Sequence, residues 1–237
     1  MSFGYDEFAQ AIVGKLCSEG QWHRAVSLDL ETKIEKKSDF LTGERLLAFG
    51  FARRIGGQAQ VITFRLKEDT DEAEMALMNE AAQWLYMADP LVLLGYNISG
   101  YDFPLLALKL KWYEGKMKQG CKEGEKPVFP RAYWALKDAI TRTFIVDMMH
   151  LLRFAIARHD NTTPKYRSLA YSVAHPKFAS LPLMRRKGLA EAETSEDKGK
   201  KIFEMWKTSN PDFERYLEGD VHDVLLLAEE IFGVKPK

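Results

Sequence analysis

A pair of carboxylates stands two residues apart in an apolar segment near the start of the chain. Asp29 and Glu31 lie within residues 25–31, where alternating small and aliphatic side chains predict a buried strand. Residues two apart on a strand point to the same face of the sheet, so both carboxylates project together. Such a pair is costly on a buried strand unless a positive charge compensates it. It is a candidate metal site, and an acid meeting solvent at a strand end is the alternative.

A further acid follows a later strand. Residues 91–96 form an apolar run that predicts a buried strand, and Asp102 comes shortly after it. Pro104 suits the first turn of a helix, where the N–H that proline lacks would have no partner. Asp102 therefore stands at a helix entrance beyond the carboxyl end of a strand, where open α/β sheets bind ligands. Capping of this helix is the alternative role.

A tyrosine and a fourth acid share one face of the last predicted helix, residues 211–232. Tyr216 and Asp220 are four residues apart, so their side chains are neighbours on the helix surface. The apolar residues of this helix form a stripe that should face the core: Leu217, Val221, Val224, Leu225 and Ala228. Asp220 lies at the edge of this stripe, where it can be held against the sheet. The alternative is a solvated acid on an ordinary amphipathic helix.

Four acids on neighbouring elements would repel one another. At an effective dielectric constant near 20, each close pair costs about 4 kcal/mol. Divalent cations remove this cost, and Mg²⁺ prefers carboxylate oxygens and retained waters. Two such ions about 4 Å apart suit phosphodiester hydrolysis, because one activates the attacking water and the other stabilises the leaving oxygen. The four acids together therefore favour a site for two divalent cations, Mg²⁺ or Mn²⁺.

The elements that must position these residues follow an α/β pattern. Residues 45–54 and 58–66 predict two strands, and Gly56-Gly57 between them predicts a hairpin. A helix is predicted over residues 71–88, and strands over 91–96 and 143–147 enclose a further helix predicted over residues 103–118. Residues 115–127 carry three glycines and many charges and predict a surface loop. Three strands followed by alternating helices and strands indicate a layered fold with five strands and helices packed on the sheet.

The order and spacing of these motifs resemble a known group of enzymes. D-x-E, N-x-x-x-[FY]-D and Y-x-x-x-D are similar to the three exonuclease motifs of the DEDD (DnaQ-like) superfamily, and GYNISGYDFPLL is the most specific match. The likeness is strongest to the proofreading exonuclease domain of family B DNA polymerases and its stand-alone relatives. It covers residues 25–232. The resemblance implies a ribonuclease H-like α/β fold with a central mixed five-stranded sheet.

The resemblance also implies roles for individual residues. The metal-binding carboxylates would be Asp29, Glu31, Asp102 and Asp220. Tyr216 matches the tyrosine that orients the attacking water, whereas the histidine subclass has a histidine at the position of Arg215. Choosing Asp223 as the last acid would place Gly219 at the tyrosine position, so Asp220 is the better assignment.

Several neighbours of the motifs have secondary roles in this interpretation. Asp147 is expected to support the site or cap a helix, and Asp223 is expected to be solvated. His222 is expected to be a surface histidine. Asn97 and Tyr101 are candidate contacts to the substrate strand, and a packed aromatic ring is the alternative for Tyr101.

Cations and aromatic rings elsewhere are candidates for holding a single strand. They are Lys109, Lys111, Trp112, Lys116, Tyr133, Trp134 and the run Arg185-Arg186-Lys187. Solvated helix faces and core aromatics are the alternative for each of them.

The function expected from these features is 3′→5′ exonuclease activity on single-stranded DNA by a two-metal mechanism. An exonuclease acting on RNA or short oligonucleotides, and an inactive nucleic-acid-binding module, are the alternatives. Lys and Arg total 34, as do Asp and Glu, so bulk charge does not indicate a protein that coats nucleic acid. The sequence has no run of about 18 apolar residues, and a cytoplasmic protein is expected. Residues 1–24 are predicted to be a helical extension, with Phe8, Ile12 and Leu16 as its apolar face, and 25–237 the exonuclease domain.

Overall fold

Five strands form one mixed sheet at the centre of the computed structural model, which describes residues 5–33, 41, 43–122, 124–184 and 195–234. The strands are β1 (Ala25–Lys33), β2 (Arg45–Ile55), β3 (Gln58–Arg65), β4 (Val92–Gly95) and β5 (Phe144–Asp147). Their order across the sheet is β3-β2-β1-β4-β5. β1, β2 and β3 are antiparallel neighbours, whereas β4 and β5 run parallel to β1. The predicted ribonuclease H-like α/β fold with a mixed five-stranded sheet is confirmed.

Helices flank the sheet. The described helices are α1 (Tyr5–Ser18), α2 (Asp71–Ala88), α3 (Asp102–Gln119), α4 (Arg131–Arg142), α5 (Met148–Asp160), α6 (Leu169–Ala174), α7 (Ser195–Lys207) and α8 (Pro211–Phe232). α2 and α8 have the bounds that the sequence predicts, because both carry strong end signals. The Thr70 side chain caps the first turn of α2, and Asn210 does the same for α8. Gly233 ends α8 in a left-handed conformation with φ 64°.

The hairpin between β2 and β3 turns at the two glycines that the sequence singles out. Gly56 and Gly57 have φ values of 54° and 78°, which side chains with a Cβ rarely adopt. Two consecutive residues with positive φ match the right-handed twist of the flanking strands. The turn fixes the register of the pair, in which Ile55 lies opposite Gln58.

Three local predictions differ from the structure. α3 ends at Gln119, one residue beyond the predicted helix over 103–118, so the predicted loop over 115–127 begins at Gly120. The buried face of α1 is Ala9, Val13 and Leu16, while Phe8 is 54% exposed, so the apolar stripe is rotated by one residue from the predicted one. α4 was not predicted, although its buried residues Tyr133, Leu136, Ala139 and Ile140 recur at the spacing of a helix.

α1 packs into the same apolar cluster as Trp22 and the second half of α8. The Trp22 indole N–H donates to the Glu229 carboxylate on α8 at 2.9 Å, and Glu229 also pairs with Arg54 on β2. The domain boundary after residue 24 stays a prediction. None of the described helices is long and apolar enough to cross a membrane.

A glycine on β2 lets α8 lie directly on the sheet. Gly50 pairs with Asp29 across the β1–β2 ladder. A Cβ at Gly50 would lie 2.8 Å from two side-chain carbons of Leu217 and 3.0 Å from Val221 Cγ1, which is shorter than any normal contact. Leu217 and Val221 are both fully buried, so neither can move aside easily. The close approach of α8 at Gly50 therefore helps to set how near this helix stands to β1.

We expect Gly50→Ala to lower the free energy of unfolding by about 1–3 kcal/mol, because the added methyl overpacks the contact with Leu217. Chemical denaturation of the purified variant measures this change. Gly115→Ala is the matched control, since a Cβ at Gly115 meets nothing within 4 Å and this residue is inside α3. The control should raise the free energy of unfolding by about 0.5–1 kcal/mol. Equal effects of the two substitutions would contradict the role given to Gly50.

Candidate active site

Three of the predicted site acids meet where α8 crosses β1. Asp29 and Glu31 project from the face of β1 that α8 covers, and Asp220 projects from α8 towards them. One carboxylate oxygen from each residue lies within 4.8 Å of one from each of the others. Glu31 and Asp220 are 6% and 3% exposed, while Asp29 is partly exposed. The cluster is thus buried on two sides and reaches solvent at Asp29.

Asp102 joins this cluster from the first turn of α3. Its Oδ1 accepts a hydrogen bond from the Leu30 backbone N–H at 3.1 Å, between the two acids of β1. Burial raises the pKa of Asp102 well above its ordinary value, and the nearby charge of Asp29 raises it further. Glu31 adds a smaller effect in the same direction. The structure therefore brings all four predicted acids together.

Tyr216 stands one helical turn before Asp220 on the same face of α8. Its side chain is 6% exposed and belongs to the apolar cluster that includes Phe213 and Leu217. The predicted core stripe of α8 is buried at each of its five positions. Packing of this stripe fixes the rotation of the helix, and so determines the direction in which Tyr216 and Asp220 point.

The chemistry of the four acids fits divalent cations. Every side chain of the cluster offers carboxylate oxygens, which are the ligands that Mg²⁺ and Mn²⁺ prefer, and the cluster has no thiol or imidazole. Acids this close and this buried repel one another strongly unless cations lie between them. Metal binding by Asp29, Glu31, Asp102 and Asp220 stays a prediction that this arrangement fits.

Asp147 supports the loop that carries Asp102. Its Oδ1 accepts from the backbone N–H groups of Asn97 and Met149, each at 3.0 Å. Its Oδ2 accepts from the Ser99 N–H at 3.1 Å and from the Ser99 hydroxyl. Asp147 therefore caps α5 and at the same time holds the loop after β4, which are the two roles predicted for it.

The candidate substrate contacts Asn97 and Tyr101 are built into this loop. Asn97 has a left-handed backbone with φ 62°, and its carbonyl accepts from the N–H groups of Gly100 and Tyr101 at 3.0 Å. Its side chain packs so closely on Gly100 that a Cβ there would come within 2.5 Å of Asn97 Oδ1. The Tyr101 ring is partly exposed, and its hydroxyl bonds to the Thr32 hydroxyl at 2.7 Å. Substrate contact by these two residues stays a prediction.

Glu44 is a buried residue near the site that the sequence did not indicate. It is fully buried, and it accepts from the Thr32 hydroxyl and the Leu41 N–H, each at 2.7 Å. It also accepts from the Tyr101 hydroxyl, and burial together with this bond raises the pKa of Tyr101. Thr32 follows Glu31, at an irregularity in the β1–β2 register, and Tyr101 precedes Asp102. Glu44 therefore connects the end of β1, which carries Glu31, to the segment that carries Asp102.

Asp223 is not solvated, and this prediction was wrong. It is fully buried and accepts from the Met184 backbone N–H at 2.8 Å, with His222 Nδ1 at 3.1 Å from the same oxygen. His222 has a side chain that is 18% exposed. Asp223 thus binds the backbone at Met184 to α8, three residues after Asp220 along the helix.

Several candidates for strand contact have structural partners instead. Lys109 is 7% exposed and pairs with Glu74 at 2.6 Å, and Lys116 pairs with Asp71 at 2.5 Å. Both ammonium groups also lie over the Trp112 ring. Tyr133 is buried against α3, where its ring packs on Tyr113 and its hydroxyl donates to Glu114, whereas its neighbour Trp134 is 52% exposed. The run 185–187 lies outside the described residues.

Comparison with known proteins finds matches among solved structures alone. No protein-family model and no curated protein matches the chain. Among solved structures, it is similar to the family B DNA polymerase from the hyperthermophilic archaeon Pyrobaculum calidifontis, with 17% sequence identity and a TM-score of 0.49. The similarity covers 87% of this chain and 24% of the polymerase chain, so the chain spans about a quarter of that protein's length.

The raised pKa of Asp102 predicts an unusual pH dependence of stability without metal. A carboxyl whose pKa is higher in the folded state stabilises the fold at low pH, and this stability is lost as the pH rises through the folded pKa. Asp102→Asn keeps an oxygen for the Leu30 N–H but carries no charge. In EDTA we expect this variant to have a higher Tm than the wild type near neutral pH. The difference should shrink as the pH falls towards the ordinary carboxyl range, near about 4.

Thermal melts followed by circular dichroism across this pH range measure the difference between the two proteins. Mg²⁺ or Mn²⁺ should raise the Tm of the wild type more than that of the variant, because the variant lacks one charged ligand. A variant that melts below the wild type at neutral pH in EDTA would contradict the account of Asp102.

A second prediction concerns Glu44. Glu44→Ala removes the acceptor of the Leu41 N–H and of the Thr32 and Tyr101 hydroxyls; one hydroxyl can still donate to the other, so two donors are left unsatisfied, and each unsatisfied buried group costs about 1–3 kcal/mol. Tyr101→Phe removes one donor and leaves Glu44 with two, so it should cost only about 0.5–1.5 kcal/mol. Urea denaturation of both variants tests this order, and a larger loss for Tyr101→Phe would disprove it.

Proposed function

We propose that this protein is a metal-dependent 3′→5′ exonuclease that hydrolyses phosphodiester bonds at the end of a single-stranded nucleic acid, with DNA favoured over RNA. The observation that carries the proposal is the meeting of Asp29, Glu31 and Asp220 within 4.8 Å, with Asp102 bonded to the strand between the first two. The three motifs that supply these residues are those whose spacing resembles the DEDD exonucleases. The preference for a 3′ end and for DNA rests on that resemblance.

The residues have separate roles in the proposed reaction. Asp29, Glu31, Asp102 and Asp220 would hold two divalent cations, and the chemistry that these ions would supply is activation of the attacking water and stabilisation of the leaving oxygen. The hydroxyl of Tyr216 forms a hydrogen bond with that water and so orients it towards the phosphorus. The Leu30 N–H holds Asp102 in place, and the packed stripe of α8 does the same for Tyr216 and Asp220. The scissile phosphate approaches from the solvent-exposed side, at Asp29.

The test is an assay with 5′-labelled single-stranded DNA and RNA of the same sequence, each with EDTA, Mg²⁺ or Mn²⁺. A metal-dependent ladder of products that shorten from the 3′ end is the expected result, and the faster substrate identifies the preferred sugar. Binding without any cleavage would favour an inactive nucleic-acid-binding module. A strong preference for dinucleotides over long strands would favour turnover of short oligonucleotides.

We expect Asp220→Asn to abolish cleavage, because it removes a charged ligand from the cluster. Tyr216→Phe should lower the rate by about 100-fold, as expected when the attacking water is poorly oriented. Asp212→Asn is the matched control: it makes the same chemical change on the same helix, at an exposed side chain paired with Arg215. Single-turnover rates of the three variants measure these effects. Cleavage by Asp220→Asn at the wild-type rate would exclude the proposed site.

A further inference from the structure

A groove runs along α5 on the side of the molecule where the loop after β4 emerges. We call it the α5 groove: a cavity of about 1270 Å³ between α1, α5 and the segment 161–164. It reaches Ser99, in the loop that Asp147 holds and that ends at Asp102. A smaller cavity of about 130 Å³ shares Arg153 with it and continues to Arg167 and Tyr171. The two cavities form one path that leads away from the loop of the candidate active site.

The α5 groove carries an excess of positive charge. Its cations are Arg153, Arg158, Lys165 and Arg167. Its acids are Glu7 and Asp160, and Asp160 is bonded to His159 at 2.8 Å and to His175 at 3.0 Å. These histidines lower the pKa of Asp160, with His159 as the larger cause. No carboxylate among the described residues pairs with any of the four cations, although the chain as a whole has net charge zero.

Arg153 lacks the partner that a buried guanidinium normally has. Its Nε is buried and has no hydrogen-bond acceptor within the described part of the chain. Its guanidinium lies between two rings, 4.6 Å from the centroid of Phe154 and 4.2 Å from that of Tyr166. The partly buried Arg45 and Arg54 are each paired with a glutamate, whereas Arg53 resembles Arg153, because its buried Nε also has no acceptor among the described residues and its guanidinium lies over the Trp84 ring. The buried Nε is closed to an acceptor from outside the chain, so what Arg153 offers such an acceptor is the rest of its partly exposed guanidinium group, which lines both cavities.

Two aromatic rings at the groove are open to solvent: Tyr171 lines the smaller cavity, and Tyr166 packs on Arg153, which lines both cavities. Tyr166 and Tyr171 are 53% and 41% exposed, and each has an arginine stacked on it, Arg153 and Arg167 respectively. Cations that follow a phosphate backbone, with exposed aromatic rings between them, are the features by which proteins hold single strands. A duplex hides its base faces and a peptide lacks regularly spaced phosphates, so neither uses both features.

We propose that the α5 groove binds a single-stranded nucleic acid, with phosphates on Arg153 and Arg158 and unstacked bases on Tyr166 and Tyr171. This inference rests on the proposed function, because it makes the groove the track for the part of the strand that lies upstream of the 3′ end. α5 is about 20 Å long, so a substrate needs several nucleotides to occupy the groove.

Binding is measured without cleavage, by fluorescence anisotropy in EDTA with labelled DNA strands of about 2 and about 20 nucleotides. The first strand is too short to occupy the groove, and the second is long enough to fill it. Arg158→Ala should weaken binding of the long strand by about threefold to tenfold and reduce the slope of log K against log salt by about 0.7. Tyr166→Ala should weaken it by about fivefold or more. Arg158 and Tyr166 are exposed, and thermal melts verify that both variants fold.

Arg142→Ala is the matched control, since Arg142 is an exposed arginine on α4 that pairs with Asp138. It should bind both strands as the wild type does. Wild-type affinity and salt slope in both groove variants would overturn the α5 groove, whether or not the protein cleaves DNA. Groove-dependent binding by a wild type that never cleaves would instead retain the groove and refute the proposed exonuclease activity. An equal loss for a duplex of the same length in Tyr166→Ala would also overturn the groove, because duplex bases offer no free faces.

Discussion

The distance between α8 and β1 is the constraint on which the candidate site depends. Asp29 and Glu31 are fixed to the sheet, whereas Asp220 comes from a helix that could lie nearer or farther. Gly50 lies opposite Asp29 and has no side chain to hold the helix away, and Leu217 fills the space. The carboxylates meet because apolar packing brings them together against their mutual repulsion. The acidic cluster therefore depends on the apolar contact between α8 and the sheet.

Backbone groups provide much of the remaining order around the cluster. The Leu30 N–H holds Asp102, and the N–H groups of Asn97, Ser99 and Met149 hold Asp147. A neutral donor orients a carboxylate but leaves most of its negative charge available. A cation in the same place would orient it equally well and would compete with a metal ion. Because these donors are neutral, the negative charge of the carboxylates stays available to a ligand.

The sequence predicted what depends on local pattern. The five strands, α2, α8 and the glycine hairpin follow from periodicity and end signals that lie within a few residues of each other. The structural roles of Glu44 and Asp223 were not predicted, because only the fold brings their partners to them. The partner is Tyr101 for Glu44 and Met184 for Asp223. The same holds for the pairing of Lys109 with Glu74, which turned a candidate substrate contact into a buried ion pair.

Trp22 has a consequence for how the protein can be shortened. The sequence analysis predicts a domain boundary after residue 24, yet the Trp22 indole donates to Glu229 near the end of α8, where Arg54 also binds. A truncated gene that begins at residue 25 would keep every residue of the candidate site and remove this anchor from the helix that carries Tyr216 and Asp220. A minimal recombinant version should therefore begin before Trp22, even though no motif residue lies there.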